Sequence, residues 1–328
     1  MTPLDLTGDA SFTGNSFTGN SFTGATFPGA TLSGGQVDDA GLFREGGSPI
    51  RTAGFISPDP DASLPNPAWR TEVLPADLLY RSYIANPKDA RLSSRILQES
   101  GGDLYWSLEA GTRVGLLRYG TPSGWRNRET GRPEGWQLDI AGAAFPRLNF
   151  DHELDVDAVD FKVGVPLTYS EGPWEAKFGF YHLSSHVGDE LLLRDPTVQR
   201  INYVRDAAVL GGGYYVNPDL RLYSEVEYAV NYDGGSEPWH VQFGFDYQPA
   251  RVNPDLHAPS PFLAVNTLLR EEVDWGGGVN VVTGVQWRGP RSDRLFRLGL
   301  QYYNGKSWQF SFFDQHEELL GLSIWYDF

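Results

Sequence analysis

Cysteine is absent from the 328 residues, and methionine occurs only as Met1. Without cysteine there is no disulfide framework, no thiolate-ligated zinc or iron–sulfur centre, and no thiol nucleophile. Positive charge is scarce as well: 26 Lys and Arg stand against 42 Asp and Glu, a formal charge of −16. A chain of that sign does not neutralise a phosphate backbone, which excludes nucleic acid as a general partner. No uninterrupted apolar run approaches the ~18–20 residues of a membrane-spanning helix. Nor does a secretory signal precede Thr2, although a protein of the cell envelope is expected to be made with one.

Aromatic residues and glycine are plentiful, at 14% and 38 residues, and mean hydropathy is only −0.36. Those values suit a soluble all-β protein. They suit equally an antiparallel transmembrane β-barrel, whose strands alternate lipid-facing and lumen-facing residues and so keep mean hydropathy low.

From Arg91 onward, apolar residues recur at every second position. Leu320, Leu322, Ile324, Tyr326 and Phe328 share one face of the last segment, with Gly321, Ser323, Trp325 and Asp327 on the other. Leu220, Leu222, Val226, Tyr228 and Val230 likewise alternate with Arg221, Tyr223, Glu225 and Glu227. Period two with one apolar face predicts half-buried strands. Twelve are expected: 91–99, 104–119, 135–147, 155–169, 174–187, 200–215, 220–233, 238–249, 261–271, 276–288, 293–304 and 316–328. Turn clusters separate them, among them Ser170-Glu171-Gly172-Pro173, Asn217-Pro218-Asp219 and Asn304-Gly305.

Alternation alone does not separate a sandwich from a membrane barrel. Two features favour a barrel in the bacterial outer membrane. The chain ends on Phe328, with Tyr326 and Ile324 on the same face, which resembles the C-terminal signal of outer-membrane barrels. Many segments also carry Tyr or Trp near their ends, as interfacial girdles require. The inward face would then hold Arg221, Glu225, Glu227, Asp246, Arg270, Glu272 and Arg297, which either interlock to plug the lumen or line a narrow pore.

Three regions are expected: 1–34, 35–90 and a barrel at 91–328. In the first, ASFTG, NSFTG, NSFTG, ATFPG and ATLSG are five pentads centred on Phe12, Phe17, Phe22, Phe27 and Leu32. A sixth, centred on Leu6, lies one residue out of phase. The run resembles the pentapeptide-repeat family, which implies a short square β-helical coil with the apolar centres inside. About one and a half coils would need a docking partner, because solenoid repeats bury their core against neighbours. A Gly/Ser/Thr-rich tail is the alternative. Residues 35–90 read as a Pro/Gly/Asp-rich linker, or as a periplasmic or lumen-entering segment, with a helical turn or two within 74–89.

The segments LPADLLYRSYIANPKDARL, GVPLTY, FYHLSSHVGDE, RINYVRD, FLAVNTLLREEVDW and GLSIWYDF occur in order over about 72–328. Together they resemble an uncharacterised family of bacterial outer-membrane barrels, a domain of unknown function. The resemblance implies a fold and a location but no activity.

Chemistry concentrates in FGFYHLSSHVGDE. Continuing the phase of Ala176, Phe178 and Phe180 puts His182, Ser184 and His186 on the lipid face, where unpaired polar groups cost several kcal/mol. His-x-Ser on one strand places base and nucleophile on one face. The pair is similar to that of outer-membrane phospholipase A and the lipid A deacylases, which implies hydrolysis of acyl esters in outer-membrane lipid. Asp206 or Asn202, on the next strand, would orient the histidine. The pattern departs from those families at Ser185, where they carry Asn, and in the longer spacing to the third residue. A polar rim is the bland alternative. A divalent-metal site of His186, Asp189 and Glu190, suited to Ca2+, is a third.

The pentads yield a direct expectation. If they coil, amides across residues 4–34 exchange slowly in the assembled state; rapid exchange there in every assembled state rejects the coil and the partner docking with it.

Overall fold

A computed structural model describes residues 67–127, 129–250, 255, 257–289 and 294–328. The pentads and their expected docking partner lie outside the described residues. The two-residue alternation becomes β1 (Arg70–Val73), β2 (Leu92–Glu99), β3 (Leu104–Gly120), β4 (Gly135–Asn149), β5 (Asp155–Glu171) and β6 (Trp174–Val187). It continues through β7 (Tyr203–Asn217), β8 (Leu220–Asp233), β9 (Trp239–Tyr247), β10 (Ser260–Arg270), β11 (Gly277–Arg288), β12 (Leu295–Lys306) and β13 (His316–Asp327). From β2 onward each strand pairs antiparallel with the next, and Leu319–Tyr326 of β13 returns to pair with β2. The result is a closed twelve-strand barrel.

The turns follow local chemistry. Gly172 takes a positive φ of 53° between β5 and β6, and the Asn217 side chain accepts from the amides of Asp219 and Leu220 to close β7 onto β8. Asn304-Gly305 is not the expected turn. Both residues lie inside β12, where Gly305 (φ 145°) sits opposite Gly278, and a Cβ there would meet the Gly277 carbonyl at 2.2 Å. Glycine here serves close strand approach, and the chain reverses only after Lys306.

One seam is uneven. The eight residues of β2 cover only Leu104–Ala110 of the much longer β3, and β1 covers Leu117–Gly120. The strand at 70–73 escaped the sequence pattern because four residues are too few to show a period.

Side-chain direction settles the environment. Leu320, Leu322 and Ile324 point outward at 55%, 63% and 45% exposure, whereas Ser323 between them and Trp325 after them are buried. Val163, Phe178, Leu210, Leu298 and Leu300 are outward too, while Arg118, Arg205, Arg270 and Arg297 rank among the largest fully buried side chains. An apolar exterior around a charged interior is stable only with hydrocarbon outside. Trp136 packs on Tyr169 and Trp174 on Tyr214 near one end of the wall, and Trp106 on Phe150 and Tyr228 on Trp239 near the other. These are the two interfacial girdles. No helix among the described residues is long and apolar enough to cross a membrane. The chain is an outer-membrane β-barrel; its two-residue turns at Gly172-Pro173 and Pro218-Asp219 mark the periplasmic end, which Phe328 shares.

The lumen is stoppered from both sides. From the periplasmic end, residues 74–91 form a strap running inside the barrel. The Tyr83 ring stacks on Tyr223 at 3.8 Å, its hydroxyl donates to Glu225 at 2.9 Å, and the Ile84 amide donates to Asp246 at 3.1 Å. Lys88 Nζ reaches Asp160 at 2.5 Å and Gln309 at 2.8 Å. No helix forms in this segment, contrary to expectation: Pro75 and Pro87 bracket it, and the carboxylates of Asp246 in the wall and Asp89 in the strap take the Ile84 and Tyr83 amides that a helix would use. From the outer end, the β12–β13 connection folds inward as a 3-10 turn at Phe310–Phe312. Ser311 bonds Ser185 at 2.7 Å, and the Gln309 side chain donates to the Phe145 carbonyl at 2.9 Å.

Two outcomes test the strap. Lys88→Met leaves the buried Asp160 without its cation and is expected to cost about 3–5 kcal/mol, read as a lower unfolding midpoint in micelles; an unchanged midpoint means that the strap is not docked. Asp77 anchors the strap's first turn. Burial alone would raise its carboxyl, but the Arg118 and Arg126 guanidiniums, at 2.7 and 2.5 Å, hold it below the ordinary range. A depressed folded value means stabilisation present above the unfolded pKa of about 3.9 and lost as pH falls through the folded value. Hydrogen exchange over 74–91 should therefore quicken in strong acid before the wall strands lose protection.

Candidate functional site

The wall segment β6 alternates without interruption from Trp174 to Val187. Glu175, Tyr181, Leu183, Ser185 and Val187 are inside; Phe178, Phe180, His182 and His186 are outside, with Ser184 half-buried on that outer face. The two adjacent serines are thereby separated in role. Ser185 bonds Asp160 and Ser311 and holds the outer stopper. Ser184 makes no side-chain hydrogen bond among the described residues and faces the membrane.

Opposite His182 in the ladder stands Asp206 of β7, and opposite Asp206 stands Asn231 of β8. His182 Nδ1 lies 2.6 Å from Asp206 Oδ1, and Asn231 Nδ2 donates to Asp206 Oδ2 at 2.7 Å. Both carboxylate oxygens are engaged, so the imidazole is oriented by an acid that is itself oriented. With Nδ1 turned to the carboxylate, Nε2 is left to exchange a proton with another partner. Ser184 sits two residues along the same face, between Phe161 and Val204 on the neighbouring strands.

Sequence parity missed Asn231. The alternation Val226, Tyr228, Val230 assigns position 231 to the lumen. A bulge intervenes: Asp206 pairs with Asn231 but Ala207 pairs with Ala229, so one extra residue on β8 turns the amide outward. Asn202, the other orienting candidate, precedes the first residue of β7 and has no rung opposite His182, so of the two it is Asp206 that meets the histidine. The strand starts three residues later than the expected 200–215.

The metal expectation on His186, Asp189 and Glu190 is not met by the geometry. Among the described residues no three His, Asp or Glu side chains come together as an ion site. Glu190 instead accepts from the Val156 amide at 2.8 Å, and His186 lies beside the Phe161 ring.

Beside His182 the outer surface dips. Ala110 and Gly142 leave a groove of about 300 Å3 bounded by Phe161, Val163 and His182. Elsewhere the lipid face carries Leu, Val, Phe and Trp. The other carboxylate-paired histidine, His240, is buried in the lumen. Its Nε2 lies 3.0 Å from Glu272 and its ring parallels Phe310, so it ties wall to stopper.

Several solved structures are similar. Outer-membrane phospholipase A from Escherichia coli matches at 12% identity and a TM-score of 0.44, over 76% of this chain and 94% of that one. The Salmonella typhi outer-membrane phospholipase dimer with bound calcium matches at 12% identity over the same shares, with a TM-score of 0.46. Pseudomonas aeruginosa OprD matches at 9% identity and 0.30, over 78% of this chain and 98% of that one. No curated protein matches in sequence. The profile of the family described as protein of unknown function (DUF1207) matches residues 64–328, and the chain belongs to that family.

Proposed function

We propose that this barrel hydrolyses acyl esters of outer-membrane lipid from its membrane-facing surface, with Ser184 as nucleophile, His182 as base, and Asp206, backed by Asn231, as the orienting acid. The observation that carries the reading is the 2.6 Å contact between His182 Nδ1 and Asp206 Oδ1 on the lipid face, two residues from Ser184. An imidazole–carboxylate pair among Phe161, Val163 and Phe180 is costly at that depth, and polar groups so placed mark function more often than architecture.

The chemistry balances. Ser184 Oγ attacks the ester carbonyl while its proton passes to His182 Nε2. Collapse of the tetrahedral intermediate breaks the ester C–O bond, and the same proton leaves with the alcohol. Water, deprotonated by His182, then cleaves the acyl-serine to release the fatty acid. No hydrogen bond joins Ser184 to His182 before substrate arrives, and catalytic contacts of this type often tighten only in the complex. The groove floored by Gly142 supports an acyl chain lying against the wall beside the histidine.

The test uses the purified full chain in vesicles, one set of phospholipid and one containing lipid A, each with calcium or with chelator. Fatty-acid release is read by mass spectrometry. Ser184→Ala is expected to reduce release by roughly 10³-fold or more with the fold intact, and Asp206→Asn by at least about 10²-fold. Ser185→Ala, on the lumen side, should retain chemistry. Absence of release from either lipid, or indifference to Ser184→Ala, leaves a plugged structural barrel instead.

A further inference from the structure

The lumen is not filled evenly. Between the strap and the wall of β4, β5 and β6, the inward positions are small: Ala141 and Ala143, Gly164 and Pro166, and Gly179. They border a cavity of about 80 Å3, room for about half a dozen waters or one small ring-sized ligand. Four cations stand around it, with Asp89 as the one lining carboxylate. Three are matched: Lys88 with Asp160, Arg113 with Asp139, and Lys177 with Glu225. Asp89 accepts from the Tyr83 amide at 2.6 Å and lies beside Arg91.

The fourth cation is Lys162. It has no direct ion pair or hydrogen bond among the described residues; its ammonium lies 4.3 Å from the centre of the Tyr181 ring, with the Glu227 carboxylate acting on it from beyond. That ring is held still, because the Tyr181 hydroxyl donates to Glu227 at 2.5 Å and accepts from Arg205 at 3.0 Å. Phe145 and Val209 complete an apolar lining. Ser82 lines both this cavity and a second space at the periplasmic mouth beside Asp77 and Phe328. At the outer end Trp308 and Phe310 are buried in the stopper.

We propose that the cavity binds a small organic carboxylate reaching it from the periplasmic side, with Lys162 as its counter-ion and Phe145 and Val209 against its apolar body. An ammonium with no carboxylate in direct contact, in a cavity lined by four cations and one carboxylate, suits a single negative charge. Inorganic phosphate, more strongly hydrated and carrying more charge, would leave the apolar lining unused.

The full chain in detergent micelles would be titrated calorimetrically at neutral pH with benzoate, benzamide and inorganic phosphate. Benzoate should bind at millimolar concentration or below, and benzamide should not. Lys162→Gln is expected to weaken benzoate at least about tenfold, with Lys162→Arg restoring most of the affinity. Ala141→Leu keeps every charge, fills the cavity and should block binding, while unfolding midpoints without ligand report that each variant is folded. The proposal fails if benzoate does not bind, if Lys162→Gln binds it equally, or if phosphate binds as tightly as benzoate.

Discussion

Everything in this molecule depends on the closure of one hydrogen-bonded ladder, between β13 and β2. In hydrocarbon an unpaired backbone amide or carbonyl costs several kcal/mol, so an open sheet edge of eight residues would be untenable there. Closure also creates the two environments that the side chains answer to. Outside, the pleat presents Leu322 and Ile324; inside, the same strand presents Ser323 and Trp325. Neither face would be stable in the other's place.

The enclosed interior is unusual in its charge rather than its packing. Arg91 contacts Glu109 and Asp327, Arg147 contacts Glu317, and Arg221 lies between Glu175 and Asp246, all largely buried. Buried pairs of this kind add little net stability over apolar packing, but the loss of one partner is severe because it strands the other. They therefore act mainly as addresses. Tyr83 meets Glu225 and Lys88 meets Asp160, and each contact fixes the strap at one place along the wall.

Much of the wall was legible in the sequence. A period of two leaves an unambiguous mark over twelve or more residues, and the expected strand limits lie within about three residues of those observed. His182, Ser184 and Asp206 fall on the lipid face for the same reason. Legibility stopped where the period breaks. Asn231 is turned outward by a bulge that no residue type announces, and Asn304-Gly305 has turn composition yet lies within β12. The strap has no period at all, since an irregular chain inside a barrel is shaped by the wall around it. Gln309 and Phe310 look like ordinary loop residues in the sequence and become core only because the loop folds inward.

The position of Arg91 has a bearing on how the molecule is held together. It is the last residue before β2, its guanidinium bonds the carbonyls of Tyr83 and Ile84 in the strap, and it meets Asp327 at the end of β13. The first and last strands thus join at a residue that also grips the plug. Through that one side chain the seam of the wall and its filling are coupled, so that losing the guanidinium would loosen both at once.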